Sequence, residues 1–255
     1  MDKEKKVILL AGPTSSGKSK LAIKLAHYYN GEIINADSMQ IYKEISILTS
    51  RPDEKDTKII KHHLYGFNSV KKNFSTGHWL KMAIHKIKEQ WRMDLTPIVV
   101  GGTGLYFKGL TDGLAAIPEI PNKLRSSIRQ FHKKIGQKKF YANLVKIDPL
   151  AKKFVLASDA QRSIRVYEVK KFTNKSFFTL IKKTKSNFNS KVFKKIFICT
   201  PRDVLHKKIE KRVEQMFKQG VIEEVENFFK LKVKKELSSN KIIGISEIRD
   251  YTKGR

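Results

Sequence analysis

Short apolar runs alternate along the chain with stretches in which apolar residues recur at spacings of three and four. The apolar runs predict four strands, at residues 7–11, 32–36, 97–100 and 196–200. The helical spacing predicts three helices, at residues 18–28, 79–91 and 203–217. Strands that alternate with helices predict an α/β fold class with a largely parallel sheet.

A long stretch between the third and fourth predicted strands has no clear strand of its own. Its pattern is helical and rich in lysine, and its polar, basic segment 176–190 is interpreted as a loop. We therefore predict a core domain made of residues 1–114 and 196–255. A helical insertion of residues 115–195 would interrupt this core.

The positive charge of the chain is concentrated in the same region. The 255 residues include 53 Lys and Arg against 24 Asp and Glu, a formal charge of +29. Residues 123–195 hold 21 of the basic residues and 3 of the acidic ones, a net +18. Biased composition explains part of the lysine excess, but a uniform bias would not gather it in one segment. The charge predicts a polyanionic partner, either nucleic acid or an anionic membrane.

Several classes of protein are excluded by composition. Cys199 is the one cysteine, so an intramolecular disulfide and a cysteine zinc cage are excluded, and the chain fits a reducing cytosol. No apolar run approaches the length of a membrane span. The basic start of the chain leads into an apolar run that is too short for a signal peptide. We expect a cytoplasmic monomer that does not associate with membranes.

A complete phosphate-binding motif follows the first predicted strand. It has the form G-x-x-x-x-G-K-S and consists of Gly12, Pro13, Thr14, Ser15, Ser16, Gly17, Lys18 and Ser19. Gly17 lets the backbone curl so that N–H groups converge on phosphate oxygens, and the following helix adds its positive end. Lys18 supplies a mobile charge, and the Ser19 hydroxyl is predicted to ligate Mg²⁺. The motif predicts a bound di- or triphosphate, for which a nucleotide kinase or NTPase is the default.

A carboxylate follows the second predicted strand. The carboxyl ends of parallel strands meet at one edge of a sheet, so Asp37 is expected beside the phosphate loop. There it could act as a base or as a metal-shell ligand, and a cap of the next helix is an equally good reading. Gln40 and Tyr42 follow it and could hydrogen-bond or stack on a base, although such residues more often lie on the surface or in the core.

Six short motifs follow the phosphate loop along the chain, and the first of them begins with Asp37. They read Asp37-Ser38-x-Gln40-x-Tyr42, Arg51-Pro52, His62-His63-Leu64, Gly101-Gly102-Thr103-Gly104-Leu105-Tyr106, Asp148-Pro149-x-Ala151 and Asp159-x-Gln161-Arg162-x-x-Arg165. In order and spacing the chain resembles the tRNA dimethylallyltransferase (isopentenyltransferase) family. The resemblance runs from the first strand to about Arg249, and implies a core like that of the P-loop NTPases.

The resemblance implies an enzyme that transfers a dimethylallyl group from dimethylallyl diphosphate. The acceptor would be N6 of the adenosine 3′-adjacent to the anticodon, in tRNAs that read codons starting with U. The phosphate loop would then hold the diphosphate with Mg²⁺. The catalytic residues would be Lys18, Asp37 and Thr103, with Asp37 as the general base and Thr103 near the target nucleotide. The target base would leave its stack to reach the donor.

The resemblance also implies residues that contact the anticodon stem-loop of the tRNA. Those in the core are Asp37, Ser38, Met39, Gln40 and Thr103, and those in the insertion are Arg125, Gln161, Arg162, Ser163, Ile164 and Arg165. Spacing alone would favour a solvated basic face for the two arginines of the last motif. A tight turn is an alternative for the segment that contains Thr103. His62 and His63 lack acidic or cysteine partners in sequence, so we expect a loop and not a metal site.

The chain departs from the family pattern in three places. Lys208 stands where the family often has the first arginine of Arg-Ile-x-x-Arg, which keeps the charge but loses the bidentate fork. Ile245 stands where the family has a tyrosine. The sequence ends at Arg255, where family members usually continue through another basic helix, and a truncation, a divergent short form and a natural economy are all open explanations.

Two other functions remain open from the sequence. A P-loop small-molecule or nucleotide kinase would use the phosphate loop but would not explain the basic insertion. An RNA-binding protein with a relic phosphate loop would explain the insertion. It would not explain why Lys18, Ser19 and Asp37 are all retained.

Overall fold

The computed structural model describes residues 5–254, which form two compact units. Unit 1 contains the residues up to Thr111 and those from Asn187 onward, and unit 2 is Asp112–Ser186. The second boundary therefore lies earlier than the predicted one at residue 195. The reason is that Phe188 already packs edge-to-face against Trp91 and Phe193, so the chain has rejoined unit 1 before the last strand.

Unit 1 is built on a five-stranded sheet whose neighbouring strands are all parallel, as predicted. The strands are β1 (Val7–Ala11), β2 (Gly31–Asn35), β3 (His62–His63), β4 (Thr96–Gly101) and β5 (Phe193–Phe197). Their order in the sheet is β3-β2-β4-β1-β5, so β2, β4 and β1 lie in its interior. The apolar side chains of these three strands are buried, as expected for a parallel sheet covered on both faces.

Both edges of the sheet differ from the sequence prediction. Strand β5 begins at Phe193 and ends at Phe197, so most of the predicted strand 196–200 lies beyond it. Its lysines Lys194 and Lys195 are not buried, and an exposed edge strand does not produce an apolar run. At the opposite edge, the two histidines form a short strand and not a loop, because β2 pairs with them and Glu32 contacts His63 Nε2 at 2.6 Å.

Seven of the described helices accompany this sheet. They are α1 (Lys18–Tyr28), α2 (Glu54–Ile59), α3 (Thr76–Arg92), α4 (Gly104–Asp112), α9 (Arg202–Lys218), α10 (Val221–Lys230) and α11 (Ile245–Thr252). Within α3, one apolar stripe that includes Trp79 and Ile87 is completely buried, and the Trp79 indole N–H donates to the Asn35 carbonyl oxygen at 2.8 Å. None of the helices within residues 5–254 combines the length and apolar character that crossing a bilayer would need.

Unit 2 is helical, as predicted, and has a core of its own. Its helices are α5 (Asn122–Ile147), α6 (Ala151–Phe154), α7 (Ala160–Thr173) and α8 (Phe177–Lys182). Helix α8 occupies part of the segment interpreted as a loop, since Phe177 and Phe178 pack on the core of the unit. Helix α5 is broken at Gly136, whose φ of 76° and ψ of 163° are not helical. The buried centre includes Ile128, Phe140, Leu144 and Val166.

Unit 2 carries a larger positive charge for its size than unit 1. Residues 112–186 contain 18 Lys and Arg against 5 Asp and Glu, a formal +13 of the total of +29. The sequence count of +18 was taken over residues 123–195, and it included Lys191, Lys194 and Lys195, which belong to unit 1. With the structural boundaries, the positive charge is still concentrated in unit 2, although its net charge is +13 and not +18.

Candidate functional site

Three loops of unit 1 meet at the carboxyl edge of the sheet. They follow the neighbouring strands β1, β4 and β2, an arrangement that typically forms the ligand crevice of open α/β sheets. The β4 loop lies between the other two. A Cβ added to Gly102 would lie 3.9 Å from both Asp37 Oδ2 and the Gly12 carbonyl oxygen. The structure thus brings the predicted carboxylate next to the phosphate loop.

The phosphate loop joins β1 to α1 with the backbone geometry that the motif requires. Gly17 is the N-cap of α1 and has a φ of 89°, a left-handed conformation that glycine adopts without strain. The Lys18 ammonium folds over the loop and donates to the carbonyl oxygens of Gly12, at 2.9 Å, and Pro13, at 2.5 Å. The hydroxyls of Ser15 and Ser16 are buried and have no hydrogen-bond partner in the described structure. These hydroxyls are therefore available as donors to phosphate oxygens.

A second cation reaches the phosphate loop from α9. Arg212 Nη1 donates to Thr14 Oγ1 at 3.0 Å, although 198 residues separate the two in sequence. Burial lowers the pKa of Lys18, and the charge of Arg212 lowers it further, whereas Asp37 opposes both effects. Burial also lowers the pKa of Arg212, again against the charge of Asp37. One carboxylate thus faces two partly desolvated cations. Arg212 was not among the predicted site residues, although its place as the last arginine of the Arg-Ile-x-x-Arg pattern was a signal for it.

Asp37 is held by the side chain of the last residue of β2. The buried Asn35 amide accepts from the Asp37 N–H at 2.8 Å and donates to the carbonyl oxygens of Asp37 and Leu64, each at 2.9 Å. Asp37 Oδ1 accepts from the Met39 N–H at 2.9 Å, whereas Oδ2 faces the Gly102 turn. Asp37 does not cap a helix, because the next helix begins at Glu54 and Asp53 caps it. Sequence reasoning missed Asn35.

The turn that contains Thr103 is tied to the segment after β2. The Thr103 hydroxyl accepts from the Ser38 N–H at 2.9 Å and donates to Ser38 Oγ at 3.3 Å, and the Thr103 N–H donates to the Ala36 carbonyl at 3.1 Å. Gly101 lies so close to the Ala36 carbonyl that no Cβ would fit between them. Ser38 and Thr103 therefore form part of one hydrogen-bonded unit with the Asp37 loop, as well as being candidate tRNA contacts.

The remaining residues of this segment serve the fold of unit 1. Gln40 Nε2 donates to the carbonyl oxygens of Thr49 and Ser50, at 3.0 and 2.8 Å. Tyr42 is buried, and its hydroxyl hydrogen-bonds Ser238 Oγ at 2.8 Å, so its ring is not available to stack on a base. Met39 packs against the cluster that includes Tyr42. The structure therefore gives Gln40 a bracing role that spacing did not reveal.

A carboxylate from α10 holds the loop that Gln40 contacts. Glu224 Oε1 accepts from the N–H groups of Ser46, at 2.6 Å, and Ile47, at 2.8 Å, and its Oε2 accepts from the Leu48 N–H at 2.9 Å. Three successive backbone donors around one carboxylate form an anion-binding nest that the protein itself fills. Glu224 thus holds the loop whose carbonyl oxygens accept the hydrogen bonds from the Gln40 side-chain amide. Sequence reasoning missed this residue too.

In unit 2, the predicted site residues of α7 lie partly on its exposed face and partly on the face that packs on the core. Gln161 and Arg162 are exposed, and Arg162 Nε lies 4.0 Å from Asp159 Oδ2. Ser163 is buried and Ile164 packs on the core, because successive helical positions point in different directions. The Ser163 side chain is therefore not accessible on the surface of unit 2, whereas the Ile164 side chain is partly exposed.

The predicted arginines Arg125 and Arg165 lie on helices α5 and α7. Arg125 Nε is 3.8 Å from Glu168 Oε2, and Arg165 Nη1 is 3.5 Å from the same oxygen. The two side chains are partly exposed, with 38% and 43% of their area accessible. The structure therefore brings these two arginines together on unit 2.

Within residues 5–254, no group of three or more His, Cys, Asp or Glu side chains is arranged as a metal site. Ser19 lies exposed in the first turn of α1, directly after Lys18. Its hydroxyl and the Asp37 carboxylate are oxygen donors of the kind Mg²⁺ prefers. Mg²⁺ usually keeps several waters and binds through few protein groups and the phosphates of a substrate.

A family model described as IPP transferase matches residues 40–255. The chain belongs to the IPP transferase family. This match begins after the phosphate loop and Asp37, but similarity to individual family members extends over both. The protein called "tRNA dimethylallyltransferase" of Pelagibacter ubique is 52% identical over 251 residues, which are 98% of this chain and 80% of that protein. A protein of the same name from Rickettsia massiliae is 43% identical over 99% of this chain and 70% of its own length.

Solved structures with IPP transferase or dimethylallyltransferase titles have the same fold. A full-length tRNA isopentenylpyrophosphate transferase from Bacillus halodurans matches with a TM-score of 0.64 and 29% identity, over 98% of this chain and 78% of that chain. A eukaryotic dimethylallyltransferase acting on tRNA matches with a TM-score of 0.83 and 25% identity, over 98% of this chain and 64% of that chain. The α/β fold with a parallel sheet is thus that of known IPP transferases.

Proposed function

We propose that this protein is a tRNA dimethylallyltransferase. It would transfer a dimethylallyl group from dimethylallyl diphosphate to N6 of the adenosine 3′-adjacent to the anticodon, in tRNAs that read codons starting with U. The observation that carries the proposal is the placement of Asp37 against the phosphate loop in a chain of the IPP transferase family. A kinase would also use the phosphate loop, but membership of this family favours transfer of an isoprenoid group.

The phosphate loop would stabilise the leaving group. When the allylic carbon–oxygen bond breaks, negative charge grows on the diphosphate. The loop N–H groups, Lys18 and Arg212 are positive groups fixed around that position before the reaction starts. Gly12, Pro13, Thr14, Ser15, Ser16, Gly17 and Ser19 complete the diphosphate site in this proposal.

Asp37 would act as the general base. The N6 amine of adenine forms a bond to the allylic carbon, the bond from that carbon to the diphosphate oxygen breaks, and the amine proton passes to the Asp37 carboxylate. Oδ1 is engaged by the Met39 N–H, which leaves Oδ2 as the oxygen that would accept the proton. Thr103 and Ser38 would keep this loop in register with the β4 turn and lie near the target nucleotide.

Mg²⁺ would bind at the phosphate loop with the Ser19 hydroxyl as its protein ligand. When bound there, the ion would add positive charge beside the diphosphate leaving group. The Ser19 hydroxyl is an oxygen donor of the kind that Mg²⁺ prefers, and Mg²⁺ is usually held largely by substrate phosphates and water.

Unit 2 would bind the anticodon stem-loop through its basic surface. Its 18 Lys and Arg against 5 Asp and Glu suit a polyphosphate backbone. Arg125, Gln161, Arg162 and Arg165 are the side chains that we propose as contacts, since they are exposed or partly exposed.

The test is a direct assay of the transfer reaction. Purified protein is incubated with Mg²⁺, dimethylallyl diphosphate and unmodified tRNA whose anticodon ends in A, and nucleosides are then analysed by mass spectrometry. We expect N6-dimethylallyladenosine, and none when guanosine replaces the adenosine 3′-adjacent to the anticodon. Absence of product, from folded protein beside an active control enzyme, would reject the proposal. Phosphate transfer from ATP to a small molecule or nucleotide in a parallel sample would favour the kinase.

A further inference from the structure

Unit 2 contains a carboxylate that is almost completely buried in a strongly basic surrounding. The side chain of Glu168, on α7, is 2% exposed. Buried carboxylates are costly unless cations or hydrogen-bond donors compensate them. Glu168 Oε1 makes no hydrogen bond to any group that the structure describes. The cost of burying this oxygen is therefore offset by nearby positive charge.

Three arginines surround this carboxylate. Arg125 and Arg129 are four residues apart on α5 and therefore lie on the same face, with Nε atoms 3.8 and 3.9 Å from the Glu168 oxygens. Arg165 comes from α7 itself, with Nη1 at 3.5 Å. Three guanidinium groups and one carboxylate leave a formal charge of +2 at this point of the surface.

The arginine side chains keep an accessible part that a ligand could contact. The three contacts with Glu168 are charge contacts at 3.5–3.9 Å. Arg125 Nε is itself buried, so a ligand would contact the exposed remainder of that guanidinium group. The three arginine side chains remain 38%, 48% and 43% exposed. The buried Glu168 carboxylate thus holds the three guanidinium groups near one another, while the arginine side chains remain partly exposed to solvent.

We propose that Arg125, Arg129 and Arg165 form one preorganised site for a backbone phosphate of tRNA, with Glu168 as its positioning residue. The inference deepens the proposed function and rests on it. Arg129 is a new binding residue here. Guanidinium forks match phosphate oxygens in bidentate geometry, and free arginines would repel one another, so a buried counter-ion is needed to keep three of them in one place.

Two explanations of tRNA binding by unit 2 predict opposite results for the substitution Glu168→Gln. In one, only the net charge of the surface matters; in the other, Glu168 positions the arginines. Glu168→Gln removes a negative charge, so unit 2 becomes more positive and a simple electrostatic surface would bind tRNA more tightly. If Glu168 positions the arginines, the same change weakens binding, by about tenfold for the loss of one charge-assisted contact. Glu119→Gln is the matched control, since it removes the same charge from an exposed carboxylate of unit 2.

The measurement is the dissociation constant for unmodified tRNA as a function of salt, with the 255-residue chain. We expect Glu168→Gln to bind about tenfold more weakly and Glu119→Gln to bind as the parent protein does or slightly more tightly. Equal or tighter binding by Glu168→Gln would overturn the inference. Failure of the parent protein to bind tRNA would instead reject the proposed function, so the two failures are distinguishable.

Two substitutions of Arg129 decide the question if Glu168→Gln does not fold. Arg129→Ala should lower the salt slope of log K by about 1, because one phosphate contact is lost. Arg129→Lys keeps the charge, so it should keep most of the slope but lose affinity, since lysine lacks the fork. Unchanged affinity and slope in Arg129→Ala, with an unchanged melting temperature, would overturn the inference.

Discussion

The carboxyl edge of the sheet in unit 1 and the arginine cluster of unit 2 are fixed by different forces. At the sheet edge, Asp37 is held by hydrogen bonds of 2.8–2.9 Å with Asn35 and Met39. In unit 2, the arginines are held by ion contacts of 3.5–3.9 Å to one carboxylate. A reacting group loses activity with small displacements, whereas a phosphate contact tolerates them. Hydrogen bonds therefore order the proposed base, whereas ion contacts order the arginines proposed to bind phosphate.

The largest effect should follow from removing the proposed base. Asp37→Asn keeps the size of the side chain and an acceptor for the Met39 N–H. It should lower the single-turnover rate of transfer by about 10²–10⁴-fold, the usual contribution of a general base. Affinity for tRNA should stay within about twofold, since the proposed phosphate contacts are on unit 2. Filter binding and quenched transfer assays measure the two quantities, and a matching loss in both would make Asp37 a structural or binding residue.

The amide that holds Asp37 should have the next largest effect. Asn35→Ala removes three hydrogen bonds at a buried position and leaves buried partners unsatisfied, so we expect a loss of about 2–3 kcal/mol in the free energy of unfolding. The transfer rate should fall with it, because Asp37 loses its anchor. Urea denaturation and kcat test both parts. An Asn35→Ala protein with full kcat would show that Asp37 is positioned without this amide.

Glu224 tests whether the loop contacted by Gln40 depends on its carboxylate. Glu224→Ala removes the acceptor for three backbone N–H groups and should lower the free energy of unfolding by about 1–3 kcal/mol. Glu226→Ala is the control on the same helix, because that side chain is exposed and its loss should cost under about 0.5 kcal/mol. Equal stability of the two variants would contradict the bracing role. Hydrogen exchange at residues 46–48 would locate the change.

The smallest effect concerns the protonation of Lys18. Burial lowers the pKa of Lys18, so it loses its proton at a lower pH than an ordinary lysine. The folded state disfavours the charged form, so the contribution of Lys18 to stability improves as pH rises through this pKa. Diphosphate binding needs the charged form and weakens over the same range, by at most about tenfold per pH unit. The KM for dimethylallyl diphosphate should therefore rise in alkaline buffer, and less in Lys18→Arg. Parallel pH profiles in the two proteins would contradict this assignment.

The sequence predicted the features that depend on local pattern. The central strands, the phosphate loop and the position of Asp37 follow from apolar runs and parallel-sheet geometry, and the structure agrees with all three. The start of β5 was predicted wrongly because its lysines are exposed, and an edge strand need not be apolar.

Other features depend on contacts between distant residues, which no single sequence reveals. Glu224 reaches a backbone segment 178 residues away, and Arg212 reaches the phosphate loop across 198 residues. The arginine cluster is similar, since only the packing of α5 on α7 shows that Arg129 and Arg165 share Glu168. Resemblance to a family identified Arg165, but it did not show which carboxylate orders the side chain.

The way the chain enters and leaves unit 2 has a consequence for protein engineering. Gly113, near the start of the unit, has a φ of 85° and lies so close to the Lys185 carbonyl, near its end, that a methyl group would not fit. Entry and exit are thus adjacent, the arrangement found where one domain is inserted into a loop of another. A short linker in place of residues 114–184 should therefore close unit 1 without stretching its backbone. Equivalent modules from relatives could be exchanged at the same junction to alter RNA preference.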